Sequence, residues 1–108
     1  MDDQTALTAF AGLSQETRLQ IVRLLVRAGP EGLPAGEIGA AIGASSSRLS
    51  FHLTQLEQAR LVTSRREGRF VIYAAAYPVL SDLVTFLMRD CCDGRPEVCA
   101  PLLEARHD

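Results

Sequence analysis

The sequence predicts a mainly α-helical domain with one small β-hairpin, built around a helix-turn-helix and paired as a homodimer. Apolar residues recur at helical spacing in successive segments punctuated by Gly and Pro. Two of these segments are short, adjacent and joined by about three residues around Gly43, which is the layout of a helix-turn-helix. Beyond them the period changes, and two runs rich in β-branched and aromatic residues flank Glu67-Gly68 as in a hairpin. The 108 residues suffice for one domain with a modest core, to which a second copy would add. With 47% apolar and 22% charged residues, the chain falls among globular rather than disordered proteins.

The elements follow in order. A short first helix is expected from Thr5 to Ala11, with Leu7 and Phe10 on one face. Ser14 reads as the N-cap of a second helix, with Glu16 in the first turn where the helix dipole favours an acid. Leu19, Val22, Leu25 and Val26 form its apolar stripe, Arg18, Arg23 and Arg27 point outward, and Gly29-Pro30 ends it. Pro34 opens a third helix reaching Ile42, with Ile38, Ala41 and Ile42 inward, and Gly43 closes it. Ser45 caps a fourth helix that runs to about Ala59, with Leu49, Leu53 and Leu56 spaced i, i+4, i+7. Leu61 to Arg66 and Arg69 to Ala74 are the strands of the hairpin. Tyr77, Leu80, Leu83, Val84 and Leu87 then describe a fifth helix, about residues 77–90, which frays near Asp90. Its apolar load exceeds what a terminal helix needs to lie on a small core, which makes it the expected dimerisation helix. Residues 91–108 form a cysteine-bearing tail to this single domain, 1–108.

Charge is distributed unevenly. Residues 1–44 carry three Arg and five acids, residues 45–73 five Arg and two acids, and residues 74–108 three Arg and six acids. A chain with net charge -2 therefore still presents a basic central third suited to phosphate. No apolar run is long enough to span a bilayer, since Pro78, Ser81 and Asp82 interrupt the best candidate. The first residues lack the layout of a secretory signal, so a cytoplasmic location with reduced cysteines is expected, and no membrane partner.

The start of the fourth helix carries the chemistry. Leu49 and Leu53 face inward, which turns Ser46, Ser47, Arg48, Ser50 and Phe51 toward the other sides. Small hydroxyls and free backbone amides at a helix N-terminus admit a phosphate backbone closely. Arg48 can fork onto guanine or neutralise a phosphate. Ordinary capping would also give a serine-rich helix start, but the arginines at the hairpin, Arg65, Arg66 and Arg69, favour a DNA-binding reading. A hairpin wing would lay them along the neighbouring groove.

Three stretches carry a resemblance to a known family. They are Leu13 to Val22 (LSQETRLQIV), Ser50 to Val62 (SFHLTQLEQARLV) and Arg65 to Tyr73 (RREGRFVIY). In this order the chain resembles the ArsR/SmtB family of winged-helix, metal-responsive transcriptional repressors. The stretches are similar to that family's second-helix start, recognition helix and wing. The resemblance implies a non-enzymatic, homodimeric repressor that binds a palindromic operator in double-stranded DNA, with recognition helices in successive major grooves. By position it places Ser46, Ser47, Arg48, Ser50 and His52 on the recognition helix and Arg66 and Arg69 on the wing as DNA-binding residues. For His52 two roles stay open: a phosphate contact, or a hydrogen bond inside the domain that holds the helix in place.

The family senses its effectors at several different sites. Its Cys-x-Cys site on the third helix is missing, because Leu33 to Ile38 contains no cysteine. Its Asp/His site on the terminal helices is poorly matched, because only Asp82 and Asp90 precede His107 there. All three cysteines instead lie within nine residues, Cys91, Cys92 and Cys99. Three thiolates without an imidazole favour a soft, thiophilic centre. Trivalent arsenic (arsenite) closes its coordination with three sulfurs, and antimonite fits the same set. The cluster is also similar to a branch of the family that binds arsenic through C-terminal cysteines. Zinc stays open with Asp93, Glu97 or His107 as a fourth ligand, as do cadmium and lead. A thiol redox switch on the same fold also stays open, with Cys91 or Cys92 pairing to Cys99. A thiol enzyme is disfavoured, since the sequence has no Cys-x-x-Cys, phosphate-cradling loop or nucleophile–base pair.

Overall fold

The computed structural model describes residues 1–89. Their order is α1 (Asp3–Leu13), α2 (Glu16–Ala28), β1 (Leu33–Pro34), α3 (Ala35–Ile42), α4 (Ser46–Gln58), β2 (Val62–Glu67), β3 (Phe70–Ala75) and α5 (Tyr77–Met88). The three strands make an antiparallel sheet in the order β1-β3-β2. The helix-turn-helix and the hairpin stand within a residue of where the sequence predicts them. The expectations for Asp90, for Cys91, Cys92 and Cys99 and for the tail fall outside the described residues.

The first two helices are rotated from their expected faces. In α1 the buried residues are Ala6, Ala9 and Gly12, whereas Leu7 is 61% exposed. Small residues win this face because the backbone approaches its neighbours closely. A Cβ on Gly12 would lie 2.9 Å from both Ala59 Cβ and Leu61 Cδ1. Phe10 packs at the margin of the core. Helix α2 begins one residue late, since Gln15 rather than Ser14 caps it, its side chain accepting from the Arg18 amide at 3.0 Å. Its buried row is Thr17, Ile21, Val22 and Leu25, and both Leu19 and Val26 face outward. Arg23 and Arg27 are exposed as expected, but Arg18 is half-buried.

In the helix-turn-helix, Ile38 is fully buried and Gly43 closes α3 with φ +77°. Ala41 is exposed, contrary to expectation. Pro34 stands just outside α3 and belongs to β1, whose pairing of Leu33 with Tyr73 has no periodic signal in so short a segment. Leu49, Leu53 and Leu56 of α4 form the expected buried row, joined by His52. The end of α4 is tightly wound. The Leu61 amide donates to Leu56 O at 3.0 Å and the Arg60 amide to Glu57 O at 2.9 Å, a Schellman pattern that places Arg60 at φ +63°. Leu56 and Leu61, both fully buried, make the apolar contact that accompanies such an end.

The hairpin turn lies one residue later than expected, at Gly68-Arg69, with Glu67 opposite Phe70. Gly68 takes φ +62°, a conformation that two-residue hairpin turns require and glycine adopts freely. Helix α5 is held at its start, where the Tyr77 hydroxyl donates to Val26 O at 3.0 Å. Leu83 is its buried residue, and Val84 and Leu87 face outward. Among the described residues no helix is long and apolar enough to cross a membrane.

Candidate nucleic-acid interface

Helix α4 projects from the core because its two sides differ in chemistry. Leu49, His52, Leu53 and Leu56 fill the inner side. At 3.6 residues per turn, the opposite row is Ser47, Phe51, Thr54 and Gln58, all exposed. Ser46, Arg48 and Ser50 flank that row near the helix start and are exposed as well. Ser45 caps the helix, its Oγ accepting from the Arg48 amide at 3.4 Å. The other first-turn amides have no partner within the helix and remain available to an anion.

The wing supplies cationic side chains of unequal freedom. Arg65 is committed: its Nη2 donates to Glu31 O at 2.7 Å and its Nε lies 3.4 Å from Glu67 Oε1. It ties the wing to the loop before β1. Arg66, one residue on, projects to the other face of the strand, and Arg69 occupies the turn; both are exposed. Ser64 donates to Glu57 at 3.0 Å and so fixes the wing against the recognition helix. These contacts hold the two basic features in a set relation.

His52 differs from its neighbours. It is 7% exposed, and its Nδ1 lies 3.3 Å from Arg18 Nη1. Burial lowers its pKa below the ordinary imidazole value, with the charges of Arg18 and then Arg48 acting in the same direction. A guanidinium only donates, so Nδ1 accepts and the neutral ring carries its proton on Nε2. Arg18 also donates from Nε to Gly12 O at 2.7 Å. The chain Gly12–Arg18–His52 thus joins the end of α1, the start of α2 and the inner side of α4. Of the two roles open for His52, the internal hydrogen bond is the one formed, and the ring faces the core rather than a groove. Sequence spacing gives no hint of this pair, whose members lie 34 positions apart.

Phe51 has no role in the family motif. It is 57% exposed on the outermost row of α4, and its ring meets His52 edge to face at 5.3 Å between centroids. The signal for it was its position between two inward leucines. Among the described residues no group of three or more His, Cys, Asp or Glu side chains is placed to hold a metal ion.

A recognition helix flanked by a basic hairpin defines the class: a winged helix-turn-helix DNA-binding transcriptional regulator, not an enzyme. A helix-turn-helix domain family model matches residues 13–65. The chain is 32% identical over 79 residues to the transcriptional repressor SdpR of Bacillus subtilis (strain 168), covering 73% of this chain and 84% of that one. It is 29% identical over 92 residues to the arsenic resistance transcriptional regulator ArsR1 of Pseudomonas putida (strain KT2440), covering 85% and 70%. The solved structure of a homodimeric winged helix-turn-helix domain from Mycobacterium bovis, described as a possible ArsR-family regulator, superposes with a TM-score of 0.66. It is 25% identical and covers 90% of this chain and 92% of that one. The chain belongs to the ArsR/SmtB family of transcriptional regulators.

Proposed function

We propose that the chain is a homodimeric repressor that leaves its operator when a trivalent arsenic species binds Cys91, Cys92 and Cys99. The observation that carries the DNA half is the exposed start of α4 beside the exposed Arg66 and Arg69 of the wing. Ser46, Ser47, Arg48 and Ser50 meet the major groove and its phosphates, and Arg66 and Arg69 meet the backbone or the adjacent groove. His52 holds the helix and does not touch DNA.

Two copies are needed to span a palindrome. Leu7 of α1 and Val84 and Leu87 of α5 give an exposed apolar face on two adjoining helices, which supports pairing there through a second copy. The homodimeric Mycobacterium bovis relative supports the same reading.

The effector half rests on donor chemistry. The chain has three cysteines and all fall between positions 91 and 99. Three thiolates satisfy trivalent arsenic or antimony, which form three bonds to sulfur, whereas zinc requires a fourth ligand. The similarity to an arsenic resistance regulator points the same way. Residues 91–99 follow α5 directly in sequence, so ligand binding there acts on the end of the helix that pairs the subunits. A small change in that pairing alters the separation of the two recognition helices, and a coupling of about 1–3 kcal/mol gives a useful change in operator affinity.

The test is fluorescence anisotropy on a duplex from upstream of the chain's own gene. Salt-dependent binding that arsenite reverses is the expected result. Cys91→Ser, Cys92→Ser and Cys99→Ser are expected to bind DNA as the native chain does and to resist arsenite. Dissociation of all three variants at the native arsenite concentration would overturn the ligand set. Release by peroxide and not by arsenite would replace it with the redox switch.

A further inference from the structure

We infer that Phe51 is a specificity residue that packs against the C5-methyl group of a thymine in the major groove of the operator. This rests on the operator-binding reading above and names what the outermost row of α4 recognises.

Three observations and one property of DNA converge on it. Phe51 is 57% exposed, and its row mates Ser47, Thr54 and Gln58 are polar. It therefore forms an isolated apolar projection at the centre of the outer row. The same helix start and the wing expose groups that suit a phosphate-lined groove: Ser47 and Arg48 one turn before Phe51, and Arg66 and Arg69 on the wing. The ring also rests against a neighbour that is itself held. His52 supports it edge to face at 5.3 Å, and Arg18 in turn holds His52 at 3.3 Å. Finally, DNA offers few complements to such a group. Base edges in the major groove present hydrogen-bond donors and acceptors, and the thymine methyl is the apolar feature among them.

The chemistry argues against a stray surface aromatic. Scattered exposed apolar residues are ordinary on a protein surface. Here, however, the ring lies on the helix face that enters the groove, where a misplaced phenyl would strip water from polar base edges without replacing their hydrogen bonds. A preorganised ring on that face favours sites with a methyl in register. It selects against cytosine and guanine at the same position, because their polar edges would be left unpaired.

The experiment removes the methyl from the DNA rather than the ring from the protein. The upstream duplex protected by the native chain in footprinting is synthesised with thymines replaced, position by position, by deoxyuridine, which lacks only the C5-methyl. At one position per half-site the replacement is expected to lower affinity about fourfold, and about fifteenfold when both half-sites are changed, as burial of a single methyl predicts. Phe51→Ala is expected to bind the thymine duplex more weakly and to lose nothing further on deoxyuridine. Phe51→Leu is expected to keep part of the sensitivity. Equal affinity of the native chain for thymine and deoxyuridine duplexes would overturn the inference without reference to any variant. Undiminished deoxyuridine sensitivity in Phe51→Ala would overturn it too, by assigning the methyl to another side chain. Failure of the native chain to bind any upstream duplex is a different result, and it overturns the operator-binding reading beneath.

Discussion

Arg18 Nη1 stands 3.3 Å from the buried Nδ1 of His52, so a charged side chain of α2 grips the inner side of the recognition helix. The same guanidinium holds Gly12 O at 2.7 Å, which makes the position of α4 depend on the junction of α1 and α2.

Removing the acceptor should loosen that grip. His52→Ala leaves a half-buried guanidinium N–H without its partner and opens a void beneath Phe51, and we expect a stability loss of about 1–3 kcal/mol. His52→Gln, whose side-chain oxygen can accept the Arg18 bond, should recover part of it. Chemical denaturation followed by circular dichroism measures both, and a His52→Ala variant as stable as the native chain would deny the bond a structural role.

The protonation of His52 gives a pH dependence of definite sign. Burial lowers its folded pKa, so the unfolded chain binds this proton at a higher pH than the folded one. Stability from this group is complete above about pH 6.5, where an unfolded imidazole is neutral, and is lost as pH falls toward the lowered folded value. Melting curves between about pH 7.5 and about pH 5.5, where an imidazole titrates, should show a larger drop for the native chain than for His52→Gln.

Arg60 sits at φ +63° at the end of α4, a conformation that an L side chain adopts at a cost. Arg60→Gly should stabilise the fold by about 0.5–1 kcal/mol, because glycine takes the left-handed region without a Cβ clash. Arg60→Asn should fall between the two. An unchanged or lowered denaturation midpoint for Arg60→Gly would mean that Arg60 makes a compensating contact.

Leu87 is 57% exposed on α5. If that face pairs two copies, Leu87→Glu places two buried like charges across the interface. It should convert a dimer to monomers in sedimentation velocity and weaken operator binding, with the helical content of the monomer retained. A dimer unaffected by Leu87→Glu would move the interface elsewhere.

Arg69 occupies the exposed wing turn. If each Arg69 of a dimer meets one phosphate, Arg69→Ala removes two such contacts and should flatten the plot of log affinity against log salt by about 1.8. Arg65→Ala is the useful contrast. Its guanidinium is engaged with Glu31 O and Glu67, so the salt slope should change less while the wing loses rigidity.

Much of this molecule is legible along the chain. The helix-turn-helix could be read because Gly43 and Ser45 mark its turn and Leu49, Leu53 and Leu56 mark one face of α4. The hairpin could be read because its strands change period and surround Gly68. The basic character of the interface is likewise local, since Arg48, Arg66 and Arg69 lie in one third of the sequence. Hydrophobic spacing fails in α1 for a definite reason. It favours the largest residues, whereas the contact of α1 with Ala59 and Leu61 demands the smallest, so Ala6, Ala9 and Gly12 turn inward and Leu7 turns out.

The sequence by itself determined the five helices and the hairpin, the arginine-rich central third and the grouping of Cys91, Cys92 and Cys99 within nine residues, because periodicity, capping and composition are local properties. Only the tertiary structure decided that His52 turns inward to Arg18 and that Arg65 reaches Glu31 O while Arg66 and Arg69 stay exposed. Each of those outcomes depends on what a side chain meets from a distant part of the chain. No local pattern encodes a partner 34 positions away.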